Sequence, residues 1–220
     1  MVTLTVENYV KAIYQLCTES QSASASTGAV AKRLGVSPGT VTSMLRTLAE
    51  SGLANYQAYE GVHLSEAGKR LALRVLRRHR LVELFLVQTL GLTWDEVHEE
   101  AEHLEHAVSE SLVDRMDAFL KYPDRDPHGD PIPRSDGSFP AAVGSEPLTS
   151  CEPASQFVLE RVIEQSPEFL RYLRESGLSI GTSAHVVENH PQAGAIVVQT
   201  PQGKFTLGRE LADKLLVRKR

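Results

Sequence analysis

The stretch TGAVAKRLGVSPGTVTSMLRTLAESGL, residues 27–53, leaves fewer folds open than any other part of the chain. Thr27 opens a short helix that Gly35 ends, and Ser37 caps a second helix with Pro38 at its first position and Gly52 at its close. Ala31, Leu34, Val36, Val41, Leu45 and Leu48 fall at the spacing that locks two helices across a tight turn. Such a helix-turn-helix leaves the polar residues at the start of its second helix facing outward. Here those are Ser37, Pro38, Gly39, Thr40, Thr42 and Ser43, with Arg46 one turn further on. Short hydroxyl side chains reach phosphates and base edges, threonine methyls pack against thymine methyls, and Lys32, Arg33 and Arg46 neutralise phosphate charge.

Upstream, Thr5 caps a helix on which Tyr9, Ile13, Leu16 and Cys17 recur at helical spacing, and a Ser/Ala-rich loop runs from Glu19 to Ser26. Downstream, residues 53–57 and 62–64 read as short strands joined through residues 58–61. The helix-turn-helix therefore carries a wing, with Tyr56, Tyr59 and His63 on or near it. Ser65 caps the next helix. From about 66 to 121 long amphipathic helices present apolar rows at Leu81, Leu84, Phe85, Val87 and Leu90, then at Val97, Ala101, Leu104, Val108, Leu112 and Met116. A face of this length suits a dimer interface.

Residues 122–152 are rich in Pro, Gly, Ser and Asp and mark a linker. The last segment opens with two helical patterns, FVLERVIEQ and SPEFLRYLRESGL, and ends in short strands, HVVEN, AIVVQT and KFTLG, suited to a small β-barrel. The expected fold class is mainly α with small β. Its modules are a winged helix-turn-helix over 1–75, a helical domain with the Pro-rich linker over 76–140, and a β-rich domain over 153–220.

The 41% hydrophobic and 23% charged residues are those of an ordinary globular protein. No run of about 18 apolar residues exists to span a bilayer, and the first residues lack the pattern of a signal peptide, so the expected location is the cytoplasm. Cys17 and Cys151, the two cysteines, make neither a disulfide framework nor a thiolate metal site. The net charge of -5 opposes nucleic-acid binding only if charge is evenly spread. It is segregated: Lys69, Arg70, Arg74, Arg77, Arg78 and Arg80 share a stretch without acids, whereas Asp95, Glu96, Glu99, Glu100, Glu102 and Glu105 share one without Lys or Arg.

His79 and Glu83 stand four apart on one helix, and His98, Glu102, Glu105 and His106 follow at i, i+4, i+7 and i+8, the spacing of a single helical face. Carboxylates and imidazoles along a buried stripe repel one another and resist desolvation, a cost that a divalent cation removes. Oxygen and imidazole donors without sulfur suit manganese, iron or zinc, and favour the harder Mn(II) and Fe(II). Glu99, Glu100 and His103 read as merely solvated.

With TVENYVKAIYQL, VSPGTVTSMLRTLAESGL, LSEAGKRLALRVLRRHRLVELFL, VHEEAEHLEHAVSESLVDRM and DPHGDPIP, nearly the whole chain resembles the diphtheria toxin repressor family of iron- and manganese-dependent regulators. The resemblance implies a homodimeric repressor that binds palindromic operators on double-stranded DNA when metal-loaded, built from winged-helix, helical dimerisation and SH3-like domains. It implies one metal site at Asn8, Glu102, Glu105 and His106. A second is implied at His79, Glu83 and His98, completed by Asp126 and His128 of the linker motif and by a carboxylate of the third domain, Glu168 or Glu164. Glu102, where iron-type members carry cysteine, favours Mn(II), then Fe(II), with Zn(II) as an in vitro ligand. Asn8 departs from the family's methionine or aspartate, and Lys11 stands where manganese-type members can have glutamate.

Two other functions compete with this one. A metal-independent winged-helix regulator sensing a small molecule in the helical domain needs the same DNA-reading element. A metallohydrolase needs an open coordination position and a positioned base, and the sequence offers no motif for these beyond the ligands, so a non-enzyme is expected.

Overall fold

The computed structural model describes residues 3–142 and 144–220. The chain divides into two compact units. One takes the chain up to His79 together with Glu105–Ala107 and Pro133–Ser138, and the other takes Arg80–Leu104, Val108–Ile132 and the chain from Phe139 onward.

The first unit begins with α1 (Leu4–Glu19), capped by Thr3, whose hydroxyl accepts from the Val6 amide, rather than by the expected Thr5. α2 (Thr27–Leu34) is capped by Ser26 and ends on Gly35 in the left-handed region, φ 65°. α3 (Pro38–Glu50) is capped by Ser37, as expected. The wing is the antiparallel pair β1 (Ala54–Gln57) and β2 (Gly61–Leu64). Ala25 extends it by exchanging two backbone hydrogen bonds with Val62. Gly61 holds φ 93°, and a Cβ there would fall 2.6 Å from the Ala25 carbonyl oxygen, so no other residue lets the wing close on that loop. Tyr9, Val10, Ile13, Val30, Val41, Leu45, Leu48, Val62, Leu64 and Leu71 form one core that joins α1, both helices of the helix-turn-helix, the wing and the start of α4 (Glu66–Phe85).

In the second unit the end of α4 passes into a single π-helical turn, Leu86–Leu90, closed by Gly91. The apolar row expected to run from Val97 to Met116 is broken into α5 (Val97–Leu104) and α6 (Glu110–Phe119). Ser109 causes the break by capping α6 through its hydroxyl. Val97 and Ala101 pack on Val82 and Leu86, whereas Val113 and Leu120 pack on Leu81, Leu84 and Ile132.

After the linker the chain forms β3 (Glu146–Pro147), β4 (Gln156–Val162), α7 (Pro167–Glu175), β5 (Ser183–His190), β6 (Ala195–Thr200), β7 (Gly203–Gly208), α8 (Arg209–Ala212) and β8 (Leu215–Lys219). Two expectations are corrected here. FVLERV is a strand, because Phe157, Leu159 and Val162 enter the core while the backbone pairs with β5 and β8. Six strands in the order β3-β8-β4-β5-β6-β7 make an open antiparallel sheet, and the expected closed barrel is not formed among the described residues. Among those residues no helix is long and apolar enough to cross a membrane.

Leu45 is fully buried in the first unit's core. Leu45→Ala is expected to cost that unit about 2–5 kcal/mol in a urea titration, whereas exposed Thr47→Ala should stay within about 0.5 kcal/mol.

Candidate functional site

On α3 the expected DNA-reading residues take different duties. Ser37, Pro38, Gly39, Thr40, Ser43 and Arg46 are exposed and Thr42 is half-buried. The Ser37 hydroxyl accepts from the Thr40 amide at 3.2 Å and lies 2.9 Å from the Thr40 hydroxyl. Thr42 donates to the Pro38 carbonyl at 2.9 Å, which leaves its methyl as its outward group. Arg33 is held by Glu19, so phosphate must compete for it. Arg46 forms no ion pair among the described residues. Tyr59, fully exposed at the wing tip with φ 69°, adds a second projecting element.

Still in the first unit, α1, α4 and the turn after α5 bring together Glu7, Lys11, Arg78, His79, Glu105 and His106. Glu105 is completely buried. Its two oxygens accept from the Lys11 ammonium at 2.8 and 2.9 Å, and His79 Nδ1 lies 2.7 Å from Oε2. Burial pushes the Glu105 carboxyl up, but the hydrogen bonds and charges of His79 and Lys11 outweigh it and hold the group below its ordinary value.

His106 Nδ1 stands 2.7 Å from Glu7 Oε2, and Arg78 donates to the other Glu7 oxygen at 2.7 Å. An ionised carboxylate only accepts, so Nδ1 is the nitrogen that donates to Glu7. That Nε2 is buried without a hydrogen-bond partner, 3.3 Å from Glu105 Oε1, and Asn8 Oδ1 is likewise buried and unpartnered. An imidazole whose far nitrogen is fixed by a carboxylate, with its near nitrogen free of hydrogen bonds beside another carboxylate, is a candidate metal donor.

The second unit gathers Glu83, His98, Asp126 and His128. His98 Nδ1 lies 3.1 Å from Glu83 Oε1, and its Nε2 lies 3.9 Å from Glu102. His128 Nε2 donates to the Trp94 carbonyl at 2.8 Å, so Nδ1 is left facing Glu83 Oε2 at 3.6 Å, without a hydrogen bond. Glu83, Asp126 and His128, all buried, place one donor atom each within 4.8 Å of the others. Burial, with the charges of Asp130 and Glu83, pushes Asp126 up to about 7 against the pull of Arg80 and His128. Burial disfavours charged His128, yet Glu83 and Asp126 raise it to about 9. The positive charge of His128 thus stands among these carboxylates at neutral pH.

The expected four-residue face of His98, Glu102, Glu105 and His106 is not one helical face. α5 ends at Leu104, and Glu105 and His106 lie in the following turn. Glu168 is exposed in the first turn of α7, outside every donor group among the described residues, and the alternative Glu164 accepts from the Ser166 amide. Glu7 and Arg78 went unmarked in the sequence as site residues. Glu7 shows there only as an acid in the first turn of α1, a position explained equally well by the helix dipole.

Profiles of known families match three consecutive stretches. Residues 1–62 match the N-terminal DNA binding domain of iron dependent repressors, 65–134 their metal binding and dimerisation domain, and 146–219 the FeoA domain. The chain is 31% identical over 229 residues to the iron-dependent repressor IdeR of Mycobacterium tuberculosis, covering 98% of this chain and 97% of that one. The chain belongs to the iron-dependent repressor family. This is the family of the diphtheria toxin repressor, and the chain is accordingly a metal-dependent DNA-binding transcriptional repressor in a family of regulators rather than enzymes.

Among solved structures of related repressors, a manganese-dependent transcriptional repressor in complex with manganese superposes with a TM-score of 0.85 at 39% identity, over 98% of this chain and 100% of that one. ScaR with bound Zn2+ gives 0.79 at 31% identity, over 98% and 99%. For a DNA-binding repressor the exposed residues of α3 carry a direct expectation. Arg46→Ala should weaken binding to DNA of any sequence and lower the slope of log K against log salt by about 1. A fluorescence-anisotropy titration over several salt concentrations reads both.

Proposed function

We propose that this repressor is a cytoplasmic homodimer switched by Mn(II), with Fe(II) as the next candidate, and that it silences genes of metal uptake or homeostasis. The observation that carries this reading is His106 Nε2, buried and unpartnered beside Glu105. The donors offered are carboxylate, amide oxygen and imidazole. Cys151 lies wholly within the sheet core and Cys17 packs against the winged-helix core, so sulfur takes no part. A donor set of this kind favours the harder divalent ions, and the superposed repressor at 39% identity is described as manganese-dependent.

Two donor sets hold the metal in this proposal, one in each unit. In the first, Asn8, His79, Glu105 and His106 are the ligands and Glu7 orients His106. In the second, Glu83, His98, Asp126 and His128 are the ligands, with Glu102 beside His98. When bound, a divalent cation supplies the positive charge that lets these buried carboxylates remain ionised.

Asn8 lies on α1, whose Tyr9, Val10 and Ile13 pack into the core that also carries α3. Drawing Asn8 toward Glu105 and His106 therefore biases where α3 sits. Two copies dock productively only when their α3 helices meet half-sites about one DNA turn, roughly 34 Å, apart or a multiple of it. Metal shifts this equilibrium through its tighter binding to the DNA-ready arrangement.

Titration of Mn(II), Fe(II) and Zn(II) into the purified protein, with the DNA upstream of its own gene as probe, tests the switch. Operator affinity should rise at least tenfold from chelator to saturating Mn(II), and His106→Ala should abolish the rise while low-salt binding to random DNA persists. Equal operator affinity with chelator and with saturating metal would overturn the proposal.

A further inference from the structure

The first donor set already contains a cation of its own. Lys11 projects from α1 one helical turn after Asn8, and its ammonium is buried, with the residue 6% exposed. It bridges both oxygens of Glu105 at 2.8 and 2.9 Å, while His79 Nδ1 meets Oε2 at 2.7 Å. A fully buried carboxylate is thereby met by cationic and imidazole groups of the chain itself.

The same geometry sets a conflict. A divalent ion ligating a carboxylate oxygen sits about 2.0–2.2 Å from it, and the ammonium stands 2.8 Å from that oxygen. Both cations on one carboxylate would lie close enough to repel strongly at this depth. His106 Nε2 faces Glu105 Oε1 from 3.3 Å, so the bare imidazole nitrogen and the ammonium address the same oxygen.

We infer that Lys11 is an internal competitor for the metal: its ammonium occupies Glu105 in the metal-free chain, must leave at least one Glu105 oxygen for metal to bind, and so sets the affinity of the first donor set. This rests on Glu105 being a ligand, as proposed above. The competitor also does structural duty. By pairing with Glu105 it keeps α1 attached to the turn after α5 when no metal is present, so metal binding exchanges one tie for another. Removing the ammonium while keeping the apolar stem should therefore tighten metal binding, the opposite of what loss of a merely structural residue does.

The test uses the full chain carrying His98→Ala, so that the second donor set contributes little. MnCl2 is titrated at fixed pH, and free Mn(II) is read from its electron paramagnetic resonance signal. Lys11→Met is expected to bind the first equivalent at least tenfold more tightly than the Lys11 protein. In the Lys11 protein itself, saturating Mn(II) should raise the rate at which an amine reagent labels Lys11, followed by peptide mass spectrometry.

Equal or weaker binding by a folded Lys11→Met protein overturns the inference. If that variant fails to fold, the labelling decides: a rate unchanged or lowered by saturating Mn(II) overturns it. Glu105→Gln separates the two layers of argument. Undiminished Mn(II) binding by this variant removes Glu105 from the ligand set and the inference with it, whereas lost binding beside an unaltered Lys11→Met affinity strikes Lys11 alone.

Discussion

A carboxylate with no access to water dictates its surroundings, and Glu105 does so here. Its charge is tolerable only because an ammonium and an imidazole meet it directly. Those partners come from α1 and α4, distant in sequence, so satisfying one buried charge fixes three segments of the first unit against one another. Glu7 repeats the logic one step further out. It is shared between Arg78 and His106, and it decides which nitrogen of His106 faces inward. The polar interior of this unit is thus a chain of obligations that begins at a single side chain.

The second unit reaches a different settlement. Glu83, Asp126 and His128 have Arg80 as their nearby permanent cation, 3.4 Å from Asp126, and the shortfall appears as a raised Asp126 and a raised His128. The first unit holds a lysine where the second holds a proton. One centre is balanced by a fixed charge and the other by a charge that pH can remove.

What the sequence made legible follows from the range of the forces involved. The helix-turn-helix was readable almost to the residue because its determinants are local: the Ser37 cap, Pro38 at the first position, and Gly35 in the left-handed region. β4 was misread because VLER suits a helix locally and becomes a strand only through pairing with β5 and β8, whose residues lie some tens of positions away. The division between α5 and α6 was missed because the apolar period continues across Ser109, and the capping hydroxyl was the only signal against it. Spacing marked Glu83, and resemblance added Asp126 and His128, as candidate donors that the structure brings together. The partners of Glu7, 71 and 99 residues away, leave no local mark at all.

The turn at Gly129 links these themes. Gly129 holds φ 84°, and a Cβ there would lie 2.0 Å from the Glu160 carbonyl oxygen, while the His128 carbonyl accepts from the Val162 amide at 2.9 Å. Asp126 folds the same turn on itself by accepting from the His128 and Asp130 amides. The loop bearing two donors is therefore cast against β4, which acts as its mould. The sheet that follows the linker is a jig for candidate donors it does not itself supply, and the tolerance with which Asp126 and His128 are aimed is the tolerance of a β-strand.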